Sequence, residues 1–336
     1  MLTSIAAMVA AVGSGRSNTQ ATEATGKIAF VRCCQLWVMN ADGSGQRRLI
    51  PSPARKSSPA WSRDGRRIAY QSGGRNYTWY VSVSNADGSG ERRLTRTRKT
   101  DYESDLNPLW SPDGRTIAFV RYDSDPSYAV YVVGADGSGE RKLTPGWEFT
   151  GPSWSRDGRK LALVHVHKAA VYVMRRNGSG RRVLATMTGA ERTWGVVWSP
   201  DGRRIAFIVD GYLWVMNSDG TLPLRLFESR VDNPGARRSD YAWSPDGLQI
   251  AFTQGSRGRT EIFVVNADGT GLRKLTDNSP AYDADPVWSP DGRAIAFTSD
   301  RDGNYEIYVM DADGSNQRNV SQSPAADFAP AWSPRG

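Results

Sequence analysis

One stretch of sequence returns seven times, and it constrains this chain more than anything else in it. Its clearest copy is Pro286–Gly314, which reads Pro-Val-Trp-Ser-Pro-Asp-Gly-Arg-Ala-Ile-Ala-Phe-Thr-Ser, then Asp300–Glu306, then Ile-Tyr-Val-Met-Asp-Ala-Asp-Gly. The Trp-Ser pair stands at Trp61, Trp110, Trp154, Trp198, Trp243, Trp288 and Trp332, 44 to 49 residues apart. The Ile-Ala-Phe run follows from Ile28, Ile68, Ile117, Leu161, Ile205, Ile250 and Ile295. A period of roughly 40–45 residues is that of a four-stranded propeller blade. Within one copy, Ser-Pro-Asp-Gly is a tight turn, because proline presets φ, aspartate bonds locally and glycine takes the left-handed closing position. The short β-branched and aromatic runs on either side read as strands. The connections leave no room for a helix, so the expectation is all-β: a seven-bladed propeller of four-stranded antiparallel blades.

The two ends of the chain are out of phase. The first copy, from Gly26, begins at the Ile-Ala-Phe strand, and the last stops at Trp332-Ser-Pro-Arg-Gly336. Joined head to tail they complete one repeat, so one blade should be assembled from both termini, which closes the ring and removes open sheet edges.

The run Trp-Ser-Pro-Asp-Gly-Arg-x-Ile-Ala-Phe followed by Ile-Tyr-Val-Met-(Asn/Asp)-Ala-Asp-Gly resembles the WD40-like repeat of the TolB-type propellers. The resemblance covers Gly26–Gly336. That family's propeller is usually described as six-bladed, against seven copies here, and its separate N-terminal α/β domain has no counterpart expected ahead of Gly26. The resemblance implies a non-catalytic propeller that binds protein or peptide partners near the cell envelope, where TolB works within the Tol–Pal assembly. It also implies an alternative, because similar repeats form the gating propeller of prolyl-oligopeptidase-type peptidases, and some propeller lyases of oligosaccharides hold a metal through histidines.

Composition narrows the partners. With 39% hydrophobic and 23% charged residues the chain reads as soluble and globular. The net charge of +8 invites a nucleic-acid reading, but the basic residues occupy repeat slots such as Arg47-Arg48, Arg92-Arg93, Arg66-Arg67 and Arg203-Arg204. Spread over the blades, they form a solvated rim that guards edge strands, not the one-sided patch of a nucleic-acid binder. Residues 1–25 read as a signal peptide or a disordered N-terminal segment ahead of a single domain, 26–336. Met1–Val12 has the length of a secretory apolar region, is too short to span a bilayer, and lacks a preceding Lys or Arg. A periplasmic or secreted monomer is the expectation, with the cytoplasm left open. The only cysteines, Cys33 and Cys34, are adjacent and read as free thiols at a strand end.

Binding is expected at one end of the ring. The Ser-Pro-Asp-Gly and Asn-Ala-Asp-Gly turns share one end and are nearly uniform, whereas the connections at the other end, such as Arg96–Asn107, Thr186–Gly195 and Phe227–Asp240, are dissimilar. Variable loops on a repeating scaffold are where binding usually sits. Residues five and three before each tryptophan should ring the mouth of the central channel. They give an exposed rim of mixed charge, with Asp105, Asp240, Asp283, Asp285 and Asp327 against Lys56, Arg192 and Arg238, beside the aromatics Trp147, Trp194 and Tyr282. Charges of both signs beside aromatics suit a protein or peptide. No nucleophile elbow, P-loop or His-Glu-x-x-His is present. His165 and His167 could share one strand face, but no third ligand is indicated, and Asp300-x-Asp302-x-Asn304 lacks the glycine of a calcium loop at its sixth position. No cofactor and no metal are expected.

Overall fold

The computed structural model describes residues 26–73, 78–96, 103–123, 127–145, 148–190, 193–227, 241–256 and 259–334. In chain order the strands are β1 (Lys27–Arg32), β2 (Gln35–Asn40) and β3 (Arg47–Arg48); β4 (Arg55–Trp61), β5 (Arg67–Gly73), β6 (Trp79–Asn85) and β7 (Arg92–Arg93); β8 (Ser104–Trp110), β9 (Thr116–Asp123), β10 (Ser127–Gly134) and β11 (Arg141–Lys142). They continue as β12 (Phe149–Trp154), β13 (Lys160–His165), β14 (Ala170–Arg175) and β15 (Arg182–Thr186); β16 (Thr193–Trp198), β17 (Arg204–Val209), β18 (Tyr212–Asn217) and β19 (Leu224–Arg225). The last are β20 (Tyr241–Trp243), β21 (Gln249–Ser256), β22 (Arg259–Asn266) and β23 (Arg273–Lys274); β24 (Asp283–Trp288), β25 (Ala294–Ser299), β26 (Glu306–Asp311) and β27 (Arg318–Asn319); and β28 (Asp327–Trp332). They make seven four-stranded antiparallel sheets, and among the described residues there is no helix.

The ring closes as the phase of the repeats requires. The first sheet runs β28–β1–β2–β3, with Ile28 opposite Trp332 and Arg32 opposite Asp327. The tryptophan strands are innermost and pack side by side: β24 against β28, β28 against β4, β4 against β8, and β12 against β16. Each Ile-Ala-Phe strand is buried on both faces, from Ile28–Phe30 round to Ile295–Phe297, so the core is divided into the layers between neighbouring blades. This explains why these runs are continuously apolar instead of alternating.

Five of the repeat tryptophans fasten one blade to the next through the indole N–H. The indole N–H of Trp110 donates to the Ala60 carbonyl at 3.0 Å, that of Trp154 to Leu109, that of Trp243 to Val197, and that of Trp288 to Ala242. In each case the acceptor is the residue just before the preceding blade's tryptophan. Trp61 donates across the closure, to Ala331 at 3.0 Å. A buried aromatic with a satisfied polar tip is what holds such an interface in one geometry.

The two uniform turns are held by their own side chains. In the first, Ser111 Oγ donates to Asp113 Oδ1 at 2.6 Å, and the same carboxylate accepts the Arg115 N–H. Burial alone would raise the Asp113 carboxyl, but these bonds and the Arg176 guanidinium outweigh it and hold its pKa at about 2. In the second turn glycine has an additional reason to be there. Gly88 has φ +90°, and a β-carbon on it would stand 2.0 Å from the Leu49 carbonyl of the previous blade. Only glycine combines the left-handed backbone with that close approach.

The paired basic residues were expected to be a solvated rim, and in three of the pairs beside the second turn the first arginine, still exposed, is also a clasp. Arg47 donates to the Asp87 carbonyl at 3.1 Å, Arg92 to Ala135 at 2.7 Å and Arg141 to Asn177 at 3.0 Å, each on the next blade's turn. A guanidinium on a two-residue edge strand is long enough to cross to its neighbour, which edge-strand reasoning from sequence does not reveal.

Candidate functional site

The variable-loop end of the inner strands was singled out as the mouth of the channel, and the structure gives that mouth a specific construction. Five inner strands break register with their neighbours just there: between Ser57 and Ala60, Leu106 and Leu109, Thr150 and Ser153, Trp194 and Val196, and Ala284 and Val287. β28 breaks between Phe328 and Ala331. Inside each break lies the residue three before the tryptophan, and it is left-handed: Ser58 (φ 49°), Asn107 (52°), Gly151 (61°), Gly195 (43°), Asp285 (55°) and Ala329 (55°). These are β-bulges repeated around a ring, and left-handed residues other than glycine carry strain. Adjacent bulges come close, since a β-carbon on Gly151 would lie 3.4 Å from the Val196 nitrogen and 3.5 Å from Gly195 Cα.

One step further out, the charges expected to be exposed are buried. Asp105, Asp283 and Asp327 are each 0% exposed and Lys56 is 1% exposed. They are not rim charges but internal braces. Asp105 takes both its oxygens to Arg121, at 2.6 and 3.0 Å, while Arg121 also reaches Glu140 Oε1 at 2.8 Å. Asp327 is gripped by Arg32 at 2.6 Å, and Asp283 by Arg301 at 3.0 Å. Lys56 meets Glu91 at 3.1 Å.

The braces share a design. Each arginine lies over two rings, Arg121 over Phe119 and Tyr131, Arg301 over Phe297 and Tyr308, and Arg32 over Phe30 and Trp37. It then reaches the residue ahead of the outermost strand, Gln46 for Arg32 and Gln317 for Arg301. Those glutamines donate onward to the preceding blade, to Val320 and Leu275. Burial alone would lower the Arg121 pKa, but the bonds and charges of Asp105 and Glu140 outweigh it and raise it. A bidentate guanidinium between rings and carboxylate satisfies the charge that burial would otherwise penalise.

Sequence reasoning missed the partners Arg32, Arg121 and Arg301, although a signal was present. Trp110 pairs with Ile117, so counting back through one bulge sets Asp105 opposite Arg121. The same count sets Asp327 opposite Arg32 and Phe149 opposite His165. At Asp283 the same count reaches Ser299, so Arg301, two residues further on, is not found this way.

The remaining expectations separate clearly. Tyr282 is half-buried and meets Tyr305 edge-on at 5.8 Å. Trp147, Arg192, Arg238 and Asp240 lie outside the described residues, and of Trp194 the backbone is placed in β16. The two histidines do not share a face, because β13 ends at His165 and the chain turns before exposed His167. His165 is buried, with Nε2 2.7 Å from Glu148, and burial lowers its pKa against the pull of that carboxylate. Asp300, Asp302 and Asn304 diverge: Asp300 accepts from the Tyr282 N–H, Asp302 from Tyr308 and Asn319, and Asn304 donates to Ser323. Among the described residues no group of three or more metal-ligating side chains gathers. Cys33 and Cys34 are free and form the two-residue turn between β1 and β2. Among the described residues no helix is long and apolar enough to cross a membrane.

Comparison with known proteins bears on this architecture at two levels. The sequence profile of the lipoprotein LpqB β-propeller domain matches residues 106–276, and that of the TolB β-propeller domain matches residues 227–336. No curated protein matches the sequence. Among solved structures, TolB from Acinetobacter baumannii is 20% identical, with 93% of this chain and 68% of that chain covered and a TM-score of 0.53. An oligogalacturonate lyase from Vibrio parahaemolyticus is 14% identical over 82% of each chain, with a TM-score of 0.64. A Mycobacterium tuberculosis puromycin-hydrolysing peptidase is 16% identical over 89% of this chain, with a TM-score of 0.66, and this chain spans 53% of its length. At these identities the structural likeness concerns fold, which binding proteins and enzymes share. The repeats, the seven closed blades and the profile spanning half the sequence agree: the chain belongs to the lipoprotein LpqB β-propeller domain family and is a TolB-like propeller.

Proposed function

We propose that this protein is a non-catalytic propeller that receives a protein or peptide segment at the variable-loop mouth of its channel, at the cell envelope. The observation that carries the reading is the ring of left-handed bulges. Six described inner strands break their pairing register at the same level, where small or polar residues (Ser58, Asn107, Asp285 and Ala329) take the left-handed backbone. Bulges re-aim side chains and interrupt pairing, so the mouth presents polar groups on a stiff frame. An extended segment is recognised largely through such polar groups, with side-chain pockets adding selectivity. The buried arginine–aspartate braces support this level from outside and leave recognition to the bulge residues and the loops above them. The envelope setting follows the lipoprotein and TolB propellers that the chain resembles.

Capture of envelope proteins by immobilised protein tests the reading. Asn107→Gly combined with Asp285→Gly should abolish partner capture while the protein still folds, because glycine takes the left-handed backbone at both positions and removes the polar side chains. Arg66→Glu with Arg115→Glu, at the uniform-turn end, should leave capture intact. Capture that survives the first pair and fails with the second would place binding at the opposite end. Turnover of an oligogalacturonide or a peptide substrate by the wild-type protein would replace the binding reading with an enzymatic one.

A further inference from the structure

Aligning the repeats on one another exposes a sector of the outer surface that departs from the rest. Among the described residues, large apolar side chains standing in the open are few, and all but Tyr305 fall in three consecutive blades: Val183, Leu222, Leu224, Leu248 and Leu272. Each occupies a slot that is polar, charged or glycine in other copies. Leu248 follows the first turn where Arg66, Arg115, Arg159, Arg203 and Arg293 stand. Leu224 takes the clasp position of Arg47, Arg92 and Arg141, and Leu272 takes that of Gln46 and Gln317.

Leu222 is the most telling. Its slot is Gly45, Gly90, Gly139, Gly180 and Gly271 elsewhere, and the backbone is left-handed at every one of them. Leu222 adopts the same conformation, with φ 51°, and is 77% exposed. Leucine gains nothing from a left-handed turn and nothing from water, so neither turn chemistry nor packing accounts for it. Leu224 meanwhile continues the surface onto the next blade, its Cδ2 3.5 Å from where a β-carbon on Gly269 would be.

Single exposed leucines are ordinary, whereas a run confined to one sector marks an interaction surface. What surrounds it indicates the partner. Exposed Arg181, Arg182, Arg203, Arg225 and Arg273 lie on the same three blades as the leucines. The turn end of these three blades carries arginine and lysine well in excess of its aspartates. Apolar side chains standing proud of a basic surface match the boundary of an anionic bilayer, where the leucines enter the acyl margin and the guanidiniums meet phosphate.

We propose that this sector docks the propeller on an anionic lipid surface, with Leu222 and Leu248 inserting and the surrounding arginines binding headgroups. Docked this way, the turn end faces the lipid and the channel mouth faces away from it. The site is separate from the mouth and does not depend on what the mouth binds.

The test is co-sedimentation with phosphatidylglycerol-containing vesicles and with pure phosphatidylcholine vesicles. It compares the wild type with the quadruple variant Leu222→Gly, Leu224→Gln, Leu248→Gln and Leu272→Gln. The replacements keep the net charge and put at Leu222 the residue that most other repeats carry, so the variant should fold, which its melting temperature checks. Wild type should sediment with the anionic vesicles only, and the variant should lose about tenfold in bound fraction, the effect of removing inserted apolar area. Added salt should weaken the wild type further. The proposal is overturned if wild type ignores anionic vesicles, or if both proteins bind equally, which would leave the basic surface acting alone. It is also overturned if wild type is a dimer that the variant dissolves, which would make the sector a contact between two copies of this chain.

Discussion

Replacing Asp105 by alanine should destabilise the protein by about 3–5 kcal/mol, the cost of breaking a buried ion pair by removing one of its members. Arg121 is 2% exposed, and in the variant it would retain Glu140 and lose both bonds to Asp105. The double change Asp105→Leu with Arg121→Met should recover most of that loss, because apolar side chains of similar volume can replace a buried pair at little net cost. Glu140 is partly exposed and can be solvated once Arg121 is gone. Urea denaturation of the two variants separates the accounts. A loss below about 1 kcal/mol for the single variant would be the behaviour of an exposed pair, and the brace would be disproved.

The second large effect concerns closure. Removing Asp327–Trp332 takes the innermost strand from the blade that β1, β2 and β3 complete. Three things go with it: the β1 ladder, the buried Asp327 opposite Arg32, and the Ala331 carbonyl that accepts the Trp61 indole. Ile28, Ala29 and Phe30, all 0% exposed, would then be on an open edge. An unprotected apolar edge strand pairs with other chains. The shortened protein should therefore aggregate or lose its cooperative thermal transition in calorimetry. A transition at the temperature of the full chain would show that the ring does not depend on this strand.

The architecture was legible in the sequence for a definite reason. Turn chemistry and apolar runs are local, and seven copies of Trp-Ser and Ile-Ala-Phe average out the irregularities of any one. Even the closure was visible, because Trp332 lacks a following strand and Ile28 a preceding turn. What was not legible is the environment of residues whose neighbours come from another strand or blade. Asp105 and Asp327 look like rim charges when read along the chain. They are buried because the register of β8 with β9, and of β28 with β1, brings an arginine to each. Arg47 and Arg92 look like edge guards until the next blade's turn is set beside them. The mouth was singled out by its variability, but the bulges there were not foreseen, since Ser58, Asn107, Asp285 and Ala329 share no residue type. Their shared property is a backbone conformation.

The claim that recognition belongs to the bulged mouth is tested most directly by site-specific photocrosslinking in envelope extract. A photoreactive residue would be placed at Asn107 in one protein and at Arg66 in another. Asn107 is exposed within the bulge ring, and Arg66 is exposed at the uniform-turn end. A protein adduct should form from position 107, compete away with unlabelled wild type, and be absent from position 66. An adduct that forms from position 66 and not from position 107 would contradict the account.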